Sequence, residues 1–210
     1  TFRTRAASWS PTRRVPSAGM TVVDLCAGAG GKTLAMHDRV EGRARFIACD
    51  TDRQRLRAFA PRAERTGIDD VETRLLNPGR EREVLGDLRD IADLVLIDTP
   101  CSGTGTWRRN PEARWRLTPE RIERIVALQA HILDYGADLV RPGGHLLYAV
   151  CSLLHEEGEG QISAFLARHS DFRKVEPAID HGIVTANGRL LSPARHGTDG
   201  FFFARLQRAC

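Results

Sequence analysis

An α/β fold with a mostly parallel sheet and helices on both faces is what this sequence predicts, and three observations predict it. Short apolar runs alternate along the chain with amphipathic stretches. Helix start and stop signals fall between the runs. The 210 residues, 41% apolar and 28% charged, suit one globular domain with a sizeable core.

The runs TVVDLC (21–26), RFIACD (45–50), VETRLL (71–76), ADLVLID (92–98) and GHLLYAVCS (144–152) read as buried strands. Helical patterns occupy 32–40, 52–66, 118–140 and 156–169. Thr118 is a capping residue followed by Pro119, a good helix start, and Arg141-Pro142-Gly143-Gly144 is a good stop. Strands that alternate with helices imply right-handed crossovers and a parallel sheet. The final run, FFFARLQ (201–207), follows the turn-rich HGTDG instead of a helix, so it is expected to enter antiparallel beside DFRKVEP (171–177). Residues 1–19 carry no clear periodicity and read as an extension or linker remnant ahead of a domain at 20–210.

Composition narrows the class. No apolar run approaches the roughly eighteen residues that cross a bilayer. TFRTRAASWSPTRR lacks the apolar core of a secretory signal. Cys26, Cys49, Cys101, Cys151 and Cys210 are scattered, with neither a disulfide framework nor a C-x-x-C pair. A reducing, cytoplasmic setting is expected, with no membrane and no metal, since the seven histidines form no ligand cluster. The net charge of +4 permits nucleic-acid binding. Almost every basic residue is arginine, which reads as codon bias; of the two lysines, Lys32 and Lys174, the first lies in a motif.

That motif, VVDLCAGAGGKT (22–33), is a strand, a glycine-rich turn and a helix start. Glycines admit close ligand approach, and the helix N-terminus offers free N–H donors. A phosphate-binding loop G-x-x-x-x-G-K-[ST] requires glycine where Cys26 stands. A dinucleotide fingerprint starting at Gly28 requires glycine where Thr33 stands. A nucleoside cofactor with little or no phosphate remains, and S-adenosylmethionine satisfies it. Asp50 ends the second strand, placed to accept hydrogen bonds from ribose hydroxyls, while Asp52 is the better helix cap.

Ligands of open α/β sheets bind at the carboxyl ends of strands. Cys101 and Cys151 both sit at such ends, whereas Cys26 and Cys49 read as inert core residues. Glu156 and Glu157 are adjacent and do not face each other on a helix, so they read as helix-start charge. Trp107, Arg108, Arg109, Arg114 and Trp115 interleave aromatic and basic residues as a single-stranded RNA surface does. Arg108 and Arg109 are the favoured phosphate contacts; for the tryptophans, packing and RNA contact stand even.

DLCAGAGGKT, DTPCSGTG with RRNPEARW, and AVCS followed by Glu-Glu resemble the signature segments of the Sun/NSUN (Rsm/Nop) family of RNA cytosine-C5 methyltransferases, the bacterial rRNA branch above all. The resemblance runs from about Met20 to Leu206. It implies a Rossmann-like, class I S-adenosylmethionine-dependent methyltransferase fold with a seven-stranded sheet, and an rRNA substrate handled by a monomer. It assigns Cys151 as nucleophile, Cys101 to product release, and Asp98 to cofactor and target base. Cys26, Ala27, Gly28, Ala29, Gly30, Gly31, Lys32, Asp50, Arg55 and Asn77 match cofactor contacts. The departures are Ala29 for proline, Asn77 for an acidic residue, Val150 for threonine, and His155 and Gly158 around the glutamate pair. A DNA-type enzyme would attack with Cys101 and carry Glu-Asn-Val; an amino-methyltransferase would carry Asp/Asn-Pro-Pro-Tyr/Phe; an idle assembly factor would not need both cysteines. The sequence has neither alternative motif and keeps both thiols.

Overall fold

The first apolar run becomes β1 (Thr21–Asp24), and the chain continues through α1 (Gly31–Arg39), β2 (Arg45–Asp50), α2 (Arg53–Arg57), α3 (Ala60–Glu64), β3 (Glu72–Leu75), α4 (Glu81–Val84), β4 (Ala92–Asp98), α5 (Pro119–Leu139), β5 (Val140–Val150), α6 (Glu159–Arg168), β6 (Phe172–Val175), β7 (Ile183–Val184), β8 (Arg189–Leu191), α7 (Pro193–His196) and β9 (Phe201–Arg208). This computed structural model describes residues 16–176 and 181–210. Most of the 1–19 segment lies outside the described residues.

The sheet runs β3-β2-β1-β4-β5-β9-β8-β7, with β6 also on β9. The first five strands in that order are parallel. β9 is antiparallel to β5 and, on its other side, to β6 and β8. The antiparallel entry beside DFRKVEP is therefore as expected. Among the described residues the sheet has nine strands where seven were expected, because Ile183–Val184 and Arg189–Leu191 form an added short hairpin.

Side chains alternate across the sheet. Val23, Ile47, Val95, Ile97, Leu146 and Tyr148 pack with Ile132 and Leu133 of α5 and Phe165 of α6. Val22, Phe46, Leu94, Leu96 and Leu147 pack with Met36 of α1 and Val40. Period two along each strand thus sends alternate residues to opposite helical layers.

Three boundaries differ from the pattern reading. The 52–66 helix is two pieces, since Pro61 stands in the first turn of α3, has no N–H, and its ring would strike the carbonyl four residues back. The 141–144 stop does end α5, but β5 begins at once, pairing Val140 with Ala92 across a register shift before Leu94 meets His145. The 156–169 helix opens instead as a 3-10 turn at His155–Glu157.

Candidate active site

The carboxyl ends of β1, β2, β4 and β5 converge on one edge. After β1 the glycine loop folds over β2: the Ala27 N–H donates to the Cys49 carbonyl at 2.9 Å and the Gly28 N–H to Asp50 Oδ2 at 2.7 Å. Asp50 is buried, and its other oxygen takes the Asp52 N–H at 2.7 Å. Each oxygen accepts one N–H and keeps a lone pair for a ligand hydroxyl. Gly28 has φ 55°, and a Cβ there would meet only Asp50 Oδ2, at 3.9 Å. A side chain would fill the space above that carboxylate, so the loop fits a ribose-bearing group lying against Asp50. Gly30 serves packing: a Cβ would sit 2.3 Å from the Phe59 ring.

The other loop residues fall around this cradle. Asp52 caps α2 through the Gln54 and Arg55 N–H groups, as expected. Arg55 lies 3.4 Å from the Asp52 carboxylate. Asn77 is exposed just beyond β3, whose Leu75 is in register with Asp50. Ala29, Gly31 and Lys32 carry the chain into α1. Burial pushes the Cys26 and Cys49 thiols up, so both are poor nucleophiles.

Lys32 and Asp98, 66 residues apart in sequence, form an ion pair, each about a third exposed (33% and 31%). Beneath them Asp24 is 1% exposed and accepts the Thr33 hydroxyl at 2.7 Å and the Cys26 N–H at 3.3 Å. Burial raises its carboxyl from 3.8 to about 6. The native state therefore keeps this proton in a range where the unfolded chain has lost it. Stability from Asp24 is full below about pH 4 and falls as pH rises through 6. Asp24→Asn should remove that fall and gain up to about 3 kcal/mol at neutral pH relative to the parent. Urea unfolding from pH 4 to 7 checks it; parallel curves for parent and variant would show that ionising Asp24 costs nothing.

Register brings the two thiols together. Asp98 of β4 lies opposite Ala149 of β5. The loops beyond these strands leave Cys101 Sγ 3.0 Å from Cys151 Sγ, both cysteines being free. One S–H bridges the two sulfurs, and either of them can be its donor. This lowers the Cys151 thiol below its ordinary value and raises that of Cys101. The Gly105 N–H donates to the Cys151 carbonyl at 3.1 Å, and the Gly200 N–H donates to the Gly105 carbonyl at 2.8 Å. The glutamate pair is split. Glu156 is exposed, as helix-start charge would be, but Glu157 is fully buried between the cysteine loops, which corrects the reading from sequence. Spacing alone gave no sign of this, since the turn at 155–157 replaces the helix that the pattern suggested.

Arg108 and Arg109 both reach the buried Asp199. Arg109 places Nε and a terminal nitrogen on Oδ2 at 2.8 and 2.7 Å, and Arg108 stands 3.6 Å from Oδ1. Trp107 is half-buried, whereas Trp115 is 77% exposed with the Arg114 guanidinium 4.6 Å from its ring centre. The even reading of the tryptophans thus divides between packing and surface. Among the described residues no helix is long and apolar enough to cross a membrane, and no group of three or more His, Cys, Asp or Glu is placed to hold a metal.

Comparison with known proteins places the chain in a family. Over 191 residues the chain is 41% identical to "Ribosomal RNA small subunit methyltransferase B" of Thermus thermophilus, covering 90% of this chain and 45% of that protein. It is 34% identical to the protein of the same name in Shewanella oneidensis, covering 97% and 46%. The chain thus spans about half the length of the curated relatives it matches. The crystal structure of NSun6 from Pyrococcus horikoshii with SFG superposes with a TM-score of 0.84 at 27% identity, over 97% of this chain and 51% of that one. The profile described as "16S rRNA methyltransferase RsmB/F" matches residues 14–207, and the chain belongs to that family.

Proposed function

We propose that this chain transfers a methyl group from S-adenosylmethionine to carbon 5 of a cytosine in ribosomal RNA, with Cys151 as nucleophile and residues 20–210 as the catalytic domain. The observation that carries the reading is the thiol pair at the ends of β4 and β5, beside a loop shaped for a nucleoside cofactor. Family membership and the likeness to a structure solved with SFG support the same cofactor.

When bound, S-adenosylmethionine supplies the electrophilic methyl group. Carbon 5 of cytosine is a poor nucleophile until something adds to carbon 6. The Cys151 thiolate does so: a C–S bond forms, and the electrons of the 5,6 double bond move to carbon 5, which then takes the methyl group. The carbon-5 proton must next leave, its electron pair re-forming the double bond as the C–S bond breaks. That proton goes to Cys101. While Cys151 is a free thiolate it holds the Cys101 S–H as a donor. Once Cys151 is bonded to carbon 6 that acceptor is spent; the Cys101 thiol gives its own proton to solvent, and the resulting thiolate takes the carbon-5 proton. Asp98 accepts a hydrogen bond from a protonated cytosine N3, which favours attack at carbon 6, and Lys32 beside it balances the carboxylate charge. Arg55 and Asn77 would lie toward the cofactor's ribose and adenine ends.

Transfer of labelled methyl from S-adenosylmethionine to RNA, followed by mapping of the modified base, tests the reading; label on a nitrogen or on a base other than cytosine would overturn it.

The RNA surface divides by partner. Arg108→Ala should lower the slope of log affinity against log salt by about one. Trp115→Ala should weaken RNA binding by about 1–3 kcal/mol through lost stacking, with the fold unchanged. Arg109→Ala should instead cost about 2 kcal/mol of stability, because it strips the fork from buried Asp199. Filter binding at several salt concentrations, with thermal melts alongside, separates these outcomes; an unchanged salt slope in Arg108→Ala would return it to the solvated surface.

A further inference from the structure

We propose that Glu157 is a positioning residue whose carboxylate clamps the two serines that follow the cysteines, Ser102 and Ser152, and so sets the spacing of the reacting thiols. The inference rests on the function proposed above only for its catalytic consequence.

Glu157 is 0% exposed, and donors surround its carboxylate. Oε1 accepts the Ser102 N–H at 2.8 Å and the Gln129 side-chain amide at 3.0 Å. Oε2 accepts the hydroxyls of both Ser102 and Ser152. Four donors on two oxygens fill the acceptor sites of an ionised carboxylate, and a neutral amide could not accept them all. A buried charge lacking such partners would be costly, so this bonding is what makes the site tenable.

The geometry around the carboxylate is specific to the cysteine loops. Cys101-Ser102 follows β4 and Cys151-Ser152 follows β5, and each serine stands one residue from a thiol. Both serine hydroxyls meet on one carboxylate oxygen, so neither loop can slide along its strand axis without breaking a charge-assisted bond. Gln129 of α5 extends the hold, its amide reaching the Pro100 carbonyl at 3.0 Å just before Cys101. The Ser152 hydroxyl also lies 2.9 Å from that of Thr104, which accepts the Leu153 N–H at 2.9 Å. Tyr148 donates its hydroxyl to the Glu157 carbonyl at 2.7 Å, fixing the backbone that carries the carboxylate. Every one of these contacts bears on a loop that presents a thiol. The repeated Cys-Ser pair in the sequence is thereby explained as two teeth of one clasp.

The test is Glu157→Gln, with Ser102→Ala, Ser152→Ala and the double serine variant as smaller perturbations should the glutamine protein fail to fold. Two readouts use the free protein. One is the rate at which the oxidant diamide, taking two electrons and two protons, joins Cys101 and Cys151, a measure of how often the sulfurs meet. The other is the pH dependence of Cys151 alkylation by iodoacetamide. With folding verified by melting, the clamp predicts that disulfide formation slows about tenfold or more, since misplacement by an ångström costs factors of this size. The alkylation midpoint should rise as Cys151 loses its Cys101 donor. Turnover on RNA should fall in kcat with KM little changed, and the serine variants should show less than additive effects in the double. A folded Glu157→Gln protein with parental disulfide rate and alkylation profile overturns the proposal. So do strictly additive serine effects. A parent that forms the disulfide rapidly but never methylates RNA would overturn the proposed function and leave the clamp standing.

Discussion

Cys151→Ala should abolish both methyl transfer and the covalent protein–RNA adduct, whereas Cys101→Ala should methylate, then stall as an adduct that survives a denaturing gel. The loss in the first is expected on the order of 10⁴-fold or more, because removing the attacking atom removes the whole covalent route. The asymmetry follows from the structure. Two sulfurs 3.0 Å apart can approach one flipped base, but only one bonds to carbon 6. The contact between the sulfurs holds the Cys151 thiol below its ordinary value and that of Cys101 above it, which favours Cys151 as the attacking group. A further expectation concerns pH. In Cys101→Ala the donor that stabilises the Cys151 thiolate is gone, so adduct formation should require more alkaline solution than in the parent. Adduct that accumulates in Cys151→Ala and vanishes in Cys101→Ala would reverse the assignment in favour of the DNA-type mechanism.

Asp50→Ala should weaken S-adenosylmethionine binding by about a hundredfold, the value of two hydrogen bonds to a charged group. The carboxylate has two duties that fail together. It holds the Gly28 and Asp52 N–H groups, and so shapes the loop, and its remaining lone pairs face the space that a Cβ on Gly28 would fill. Asp50→Asn separates the duties, since the amide keeps one acceptor oxygen, and should fall between parent and alanine. Calorimetry measures it; equal affinities in parent and alanine variant would remove Asp50 from the site.

The elements that sequence reading found were those with strong local signals. β4 was legible to the residue because ADLVLID is an apolar run bounded by turn residues, and α5 because Thr118 and Pro119 mark its start. The meeting of the two cysteines was legible because each follows a strand on the same edge of the sheet. What stayed hidden was tertiary. Pro61 divides a helix whose polar periodicity runs on unbroken. The β7–β8 hairpin is held by its pairing with β9, which no local pattern reveals. Glu157 looked like surface charge because its partners lie 55, 28 and 5 residues away and only the fold brings them near. The Arg109–Asp199 pair was hidden for the same reason, its partners lying 90 residues apart, and the sequence offered Arg109 only as a phosphate contact.

That last contact has a consequence for how the protein comes into being. Asp199 and Gly200, immediately before β9, brace the Cys101 loop through Arg109 and the Gly105 carbonyl. A ribosome making this chain releases Cys101 and Cys151 well before these braces exist, and domains form from their first-made parts onward. Strands β1 to β5 and the Glu157 contacts to Ser102 and Ser152 use only residues made before these braces. One brace on the Cys101 loop is therefore completed only when β9 pairs with β5.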